Sequence, residues 1–167
     1  ILEGLQPAID QGLIVLIQDK EKLFRFTHSR IRDAVYSLAN QDETPKIHKK
    51  IGDALFIKAG QPAPDTLAVD TVFDFVKHWN RGLVWITGRK EKKLISKFNL
   101  VAGIMSSSSG AYESAIYYLK IGMKLVEDFG WQNSYKLNLE LYNKAAESAY
   151  LSGDYDSMEK WVNKLIE

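Results

Sequence analysis

The sequence predicts a mainly α-helical chain with one β-hairpin near its start and paired helices toward its end. Three observations carry this expectation. From position 44 onward apolar residues recur at three- and four-residue spacing, the period of an amphipathic helix. Only "LIVLI" and "LFRFT", at 13–17 and 23–27, are short apolar runs of strand type, and the charged "QDKEK" between them marks a hairpin. The last part of the chain also repeats itself at a shift of 43 residues.

The opening "ILEGLQPAIDQG" places Ile1, Leu2, Leu5, Ala8 and Ile9 on one side of a helix that Gly12 is expected to stop. It has no initiator methionine and is helical from its first residue, so the chain is expected to be a piece of a longer protein. After the hairpin, Ile31, Ala34, Val35 and Leu38 stand at helical spacing, with Thr27 or Ser29 offering a hydroxyl to cap the first free N–H groups. Helix, hairpin, helix is the order of the closing part of a winged-helix domain, to which residues 1–40 are assigned.

Residues 41–87 read as linking helices. In "TPKIHKKIGDALFIKAG" Thr44 is the expected N-cap, Pro45 the first helical position, Ile47, Ile51, Ala54 and Leu55 the buried stripe, and Gly60 the stop. "QPAP" follows as a connector. Asp65 is expected to cap the next helix, whose apolar face is Val69, Val72, Phe73 and Val76 and which Gly82 ends. Thr87 is expected to open another, carrying Leu94, Phe98, Val101 and Met105.

Residues 88–167 hold the repeat. "GAYESAIYY" at 110–118 aligns with "GDYDSMEKW" at 153–161, pairing Gly110 with Gly153, Tyr112 with Tyr155, Ser114 with Ser157 and Tyr118 with Trp161. Leu94 then falls on Leu137, Ala102 on Ala145 and Ser106 on Ala149. Each unit is a helix, a tight turn and a second helix that starts with an aromatic residue. This is the logic of tetratricopeptide-type hairpins, although the spacing exceeds the usual ~34 residues. One such hairpin cannot bury its apolar face alone, so the array is expected to continue past 167. The expected architecture is a winged-helix remnant followed by tetratricopeptide-like α-α superhelical hairpins.

Composition narrows the function. With 46% apolar and 11% aromatic residues there is material for a packed core, and 22 basic against 21 acidic side chains leave no global field toward nucleic acid or an anionic membrane. The absence of cysteine excludes disulfides and thiolate metal sites; with no secretory signal, a cytoplasmic location is expected. No 18-residue apolar run suggests a membrane span.

No phosphate loop, His-Glu-x-x-His or Gly-x-Ser-x-Gly motif occurs, so the segment itself is not expected to be an enzyme or to hold a cofactor or metal. Asp70 and Asp74 share a helix face and read as solvated carboxylates. Direct nucleic-acid binding is not expected. The helix before the hairpin is the one that would enter a DNA groove, yet residues 1–19 contain Glu3, Asp10 and Asp19 and no Lys or Arg.

Two groups of residues stand out. "GRKEKKLISK" gathers Arg89, Lys90, Lys92, Lys93 and Lys97, read as an exposed first helical turn or as a patch for an anionic partner. His28 precedes a helix start between Thr27 and Ser29, with Arg30 beyond, where backbone N–H groups, imidazole and guanidinium would converge on an anion. His48 and His78 lie inside amphipathic helices and read as packed polar residues.

At "FRFTHSRIRDAVYSL", "IHKKIGDALF", "FDFVKHWNRG" and "FNLVAGIMSSSSGAYESAIYYLKIGMKLV" the sequence resembles, in order, the region just after the ATPase core of large bacterial and cyanobacterial signalling ATPases of the STAND class. These are similar to the AAA-like modules set between a Ser/Thr kinase-like domain and C-terminal GAF and histidine-kinase domains. The resemblance implies an upstream domain that binds ATP or ADP and contacts this segment in cis. It also implies a helical-repeat groove for protein partners, and a role in coupling nucleotide state to that arm.

The family pattern Phe-x-x-His-Asp-Arg is matched by His28 and Arg30, by Phe26 only loosely in spacing, and not by Ser29, which replaces the acid. By resemblance His28 senses nucleotide with Arg30 and Ser29; the other reading is that His28 packs at the hairpin end. Alternatives for the whole are a STAND-type transcriptional regulator or a plain protein-binding scaffold.

Overall fold

Backbone contacts divide the chain into two units, Ile1–Thr44 and Pro45–Glu167. The computed structural model describes residues 2–18, 23–38, 40, 42–64, 66 and 69–166. Among these it is mainly α, with one two-stranded antiparallel hairpin.

In the first unit α1 (Leu2–Asp10) leads into β1 (Ile14–Gln18), which pairs with β2 (Leu23–Phe26) before α2 (Ser29–Leu38). Ile14 faces Phe26 and Leu16 faces Phe24, with an irregularity between Leu16 and Gln18. Gly12, at φ +66°, turns α1 into the hairpin; its N–H bonds to the Ile9 carbonyl and that of Leu13 to Ala8. Left-handed backbone at that point favours glycine. Thr27, one of the expected caps, is used otherwise. Its hydroxyl donates to the carbonyls of Gly12 (2.9 Å) and Leu13 (3.1 Å), tying β2 to the end of α1.

The second unit contains α3 (Thr44–Lys58) from Pro45 onward, α4 (Val69–Arg81), α5 (Arg89–Ser108), α6 (Tyr112–Val126), α7 (Trp131–Ser152) and α8 (Tyr155–Ile166), with short 3-10 turns at Leu83–Trp85 and Glu127–Phe129. Helix α5 begins behind Gly88 rather than at Thr87, because the 3-10 turn extends the corner. Asp65 lies outside the described residues. The Thr44 hydroxyl, expected as an N-cap, donates to the Asn40 carbonyl at 3.0 Å.

The buried face of α3 matches the expected stripe only in part: Ile51 and Leu55 are half-buried, and Leu55 packs against the core. His48 and Gly52 are buried, whereas Ile47 is 48% exposed and Ala54 is exposed. The cause is a close approach: a Cβ on Gly52 would lie 2.5 Å from Cδ1 of Trp79, so α3 comes nearest to α4 at a residue without a side chain. Gly82 ends α4 as expected, but at φ −101°, without left-handed backbone. Its need is space, since a Cβ would stand 2.8 Å from the Pro45 carbonyl and the Lys49 nitrogen.

Two cores result. The first joins Phe56 of α3, Val72, Phe75, Val76 and Trp79 of α4, Ile95, Phe98 and Ala102 of α5, and Leu125 of α6. Phe75 and Phe98 meet edge-to-face at 5.1 Å between centroids, and Phe75 and Trp79 at 5.0 Å. Such contacts add about 0.5–1.5 kcal/mol each beyond buried area. The second core joins Leu100 of α5 to Leu119, Met123 and Val126 of α6, Leu141, Ala145 and Ala149 of α7, and Trp161 of α8.

Polar pins cross the layers. Asn80 and Asn99, both buried, exchange amide bonds at 2.8 and 3.0 Å between α4 and α5. The Ser96 hydroxyl donates to the Gly122 carbonyl of α6 at 2.8 Å.

The repeat has a hydrogen-bond counterpart. The N–H of Gly110 bonds to Ser107 and that of Ala111 to Ser106; 43 residues on, Gly153 bonds to Tyr150 and Asp154 to Ala149. Both glycines are left-handed, at φ +78° and +81°. This paired bonding satisfies the last carbonyls of α5 and α7 and lets α6 and α8 turn back at once.

Candidate functional site

Each unit carries one candidate site. In the first, α2 starts where β2 ends, and the His28 carbonyl accepts the N–H groups of Ile31 (3.2 Å) and Arg32 (3.3 Å). His28, Ser29 and Arg30 are consecutive and exposed, at the end of α2 where free N–H groups and the helix dipole favour an anion. Arg32 is held by Asp33 at 2.9 Å.

In the second unit a groove of about 730 Å³ runs between α5 and the first turns of α7. Leu100, Val101, Ile104 and Leu137 form its apolar lining, with Ile104 37% exposed. Lys93, Lys97 and Lys136 line it as well, against the single carboxylate of Glu140. The Lys93 ammonium donates to the Asn133 carbonyl at 3.3 Å, while Lys97 and Lys136 are exposed.

The groove exists because α7 is broken at its start. Gly130, at φ 71° and ψ 152°, takes backbone open essentially only to glycine, and Ser134, at φ −142° and ψ 26°, interrupts the helix. Asn133 pins the first turn by donating its side-chain amide to the Phe129 carbonyl at 2.8 Å. Ser134 lines the groove and is 5% exposed, and its hydroxyl has no hydrogen-bond partner among the described residues. A buried hydroxyl left so costs about 1–3 kcal/mol.

The expected basic patch is therefore divided. Lys93 and Lys97 reach the groove and are joined there by Lys136. Arg89 instead lies over the Phe129 ring, 4.8 Å from its centroid, and Lys92 lines a separate hollow with Lys124 beside Leu83 and Leu125. Lys90 is exposed. Glu91, inside the run, accepts from Lys49 of α3 at 2.7 Å.

Sequence reasoning missed Lys136 and Ser134. The 43-residue shift held the signal for the first, since it places Lys93 on Lys136 as surely as Leu94 on Leu137. Nothing local marks Ser134 as the break.

A third cluster joins α3 to α4. Nδ1 of His48 and Nδ1 of His78 lie 2.8 Å apart, so one ring donates and the other accepts. Burial, with the Arg81 charge second, lowers the His48 pKa. Burial, then His48, Lys77 and Arg81, lowers that of His78, with Asp74 opposing. Beside them Lys49 is held by Asp53 at 2.6 Å and by Glu91, and Asp53 accepts the Trp79 indole N–H at 3.0 Å. Burial alone would lower the Lys49 pKa, but these two carboxylates outweigh it and raise it.

Among curated proteins, the chain is similar to hybrid signal transduction histidine kinase G of Dictyostelium discoideum, at 23% identity over 164 residues. The match covers 86% of this chain and 5% of that protein, so the chain corresponds to a small part of its length. No family model matches, and no solved structure matches. The likeness fits a signalling-protein context. Among the described residues no helix is long and apolar enough to cross a membrane.

Proposed function

We propose that this chain is a non-catalytic regulatory and protein-interaction segment of a signal-transduction protein. In this reading a STAND-type nucleotide-binding domain precedes it, ATP or ADP bound there is felt at His28, Ser29 and Arg30, and the helical stack of the second unit is the arm that meets protein partners. The tetratricopeptide-like and winged-helix assignments, and the domain limits 1–40, 41–87 and 88–167, belong to the same proposal.

The observation that carries it is the likeness to a segment of a signalling histidine kinase. The exposed helix start at His28 and the lysine-lined groove support it. Ser29, which stands where the STAND pattern has an acid, favours a second reading, a plain binding scaffold without nucleotide coupling.

The test is ADP retention by the full-length parent protein, native against His28→Ala. Faster ADP release from a folded His28→Ala protein, by about tenfold or the loss of one charge-assisted hydrogen bond, supports coupling. Equal retention leaves the scaffold reading.

A further inference from the structure

The groove between α5 and the broken start of α7 combines features that the packing of the molecule does not explain. Its lining is apolar at Leu100, Val101, Ile104 and Leu137, yet it is open enough to leave Ile104 37% exposed. It gathers three ammonium groups against one carboxylate in a chain whose formal net charge is only +1. Ser134, 5% exposed, stands in its wall at the residue where the backbone leaves helical geometry, with its hydroxyl buried.

Order along the helix selects the occupant. Lys93 and Lys97 are one helical turn apart on α5, a rise of about 6 Å. Leu100, Val101 and Ile104 follow the two lysines along the same helix, so the α5 wall is basic toward one end and apolar toward the other. A segment with acidic residues beside apolar ones matches both. A basic segment is repelled by the ammonium groups, and a purely polar one leaves the apolar lining unmatched.

We propose that this groove docks a segment of a partner protein in which an acidic stretch adjoins an apolar one. Lys93, Lys97 and Lys136 pair with its carboxylates, and Leu100, Val101 and Ile104 receive its apolar residues. The proposal rests on the reading of the chain as a protein-interaction segment and names the partner's chemistry.

The test uses the full 167-residue chain against arrayed octapeptides of three designs: four Glu beside four Leu, four Lys beside four Leu, and four Glu beside four Ser. The Leu/Glu design is then titrated by fluorescence anisotropy. It is expected to be retained over the other two and to bind about tenfold more weakly to Lys97→Glu/Lys136→Glu. Both lysines are exposed, so that variant keeps the fold.

Ser134→Ala is expected to leave the affinity unchanged and the melting temperature unchanged or higher, because it removes an unsatisfied buried hydroxyl. Retention without preference among the designs, or binding indifferent to the charge reversal, overturns the groove assignment and leaves the interaction reading in place. No retention of any design overturns the groove assignment as well.

Discussion

His48 and His78 stand 30 positions apart, and their rings share one hydrogen bond between α3 and α4. Both have pKa values pushed below the ordinary 6.5, by burial first. Below about pH 6.5 the unfolded chain therefore binds more protons than the folded one, and stability falls with pH; above that value the contribution is complete. The urea midpoint of the native protein is expected to drop between pH 7.5 and pH 5.5. The drop should shrink in His48→Leu/His78→Leu, which removes both titrating rings. An equal drop in both proteins would place the acid sensitivity elsewhere. Each histidine is legible in the sequence as a packed polar residue, but their pairing depends on where Gly52 lets α3 settle against Trp79, a fact of tertiary contact.

The two helix-turn-helix hairpins share their turn but not their start signal. Asp154 accepts the N–H of Ser157 at 3.1 Å and so caps α8, whereas its repeat equivalent, Ala111, gives α6 no side-chain cap. Replacing Ala111 by Asp supplies the missing acceptor at the positive end of the helix dipole and is expected to stabilise the protein by about 1 kcal/mol. Thermal unfolding measures it, and no rise in the midpoint would show that the backbone at Ala111 cannot present a cap. The glycine stops at 12, 60, 110 and 153 were readable because a left-handed turn is a local requirement, and φ is positive at all four. The full buried face of α3 and the late start of α5 were not, because a close approach and a 3-10 corner are settled by neighbours distant in sequence. The repeat was legible as aligned small and aromatic residues, and Lys93 stood in the run read as an exposed turn or an anionic-partner patch, while its repeat equivalent Lys136 was missed.

The second unit has the makings of an independent fold. It contains both cores and all four tryptophans, Trp79, Trp85, Trp131 and Trp161. Residues 45–167 expressed alone are expected to unfold in one cooperative transition by tryptophan fluorescence. A gradual, non-sigmoidal curve would show that the unit needs the rest of the chain. Helix α5 is what makes one transition the expectation, since it gives Phe98 and Ala102 to the first core and Leu100 to the second. Two neighbours on that helix, Leu100 and Val101, both line the groove; the first belongs to one core, and the second packs against the other. In mechanical terms α5 is a shaft running in two bearings, and the groove opens where both can be touched. A load applied there is delivered to the two halves of the unit together, so whatever seats in the groove also sets how stiffly those halves are joined.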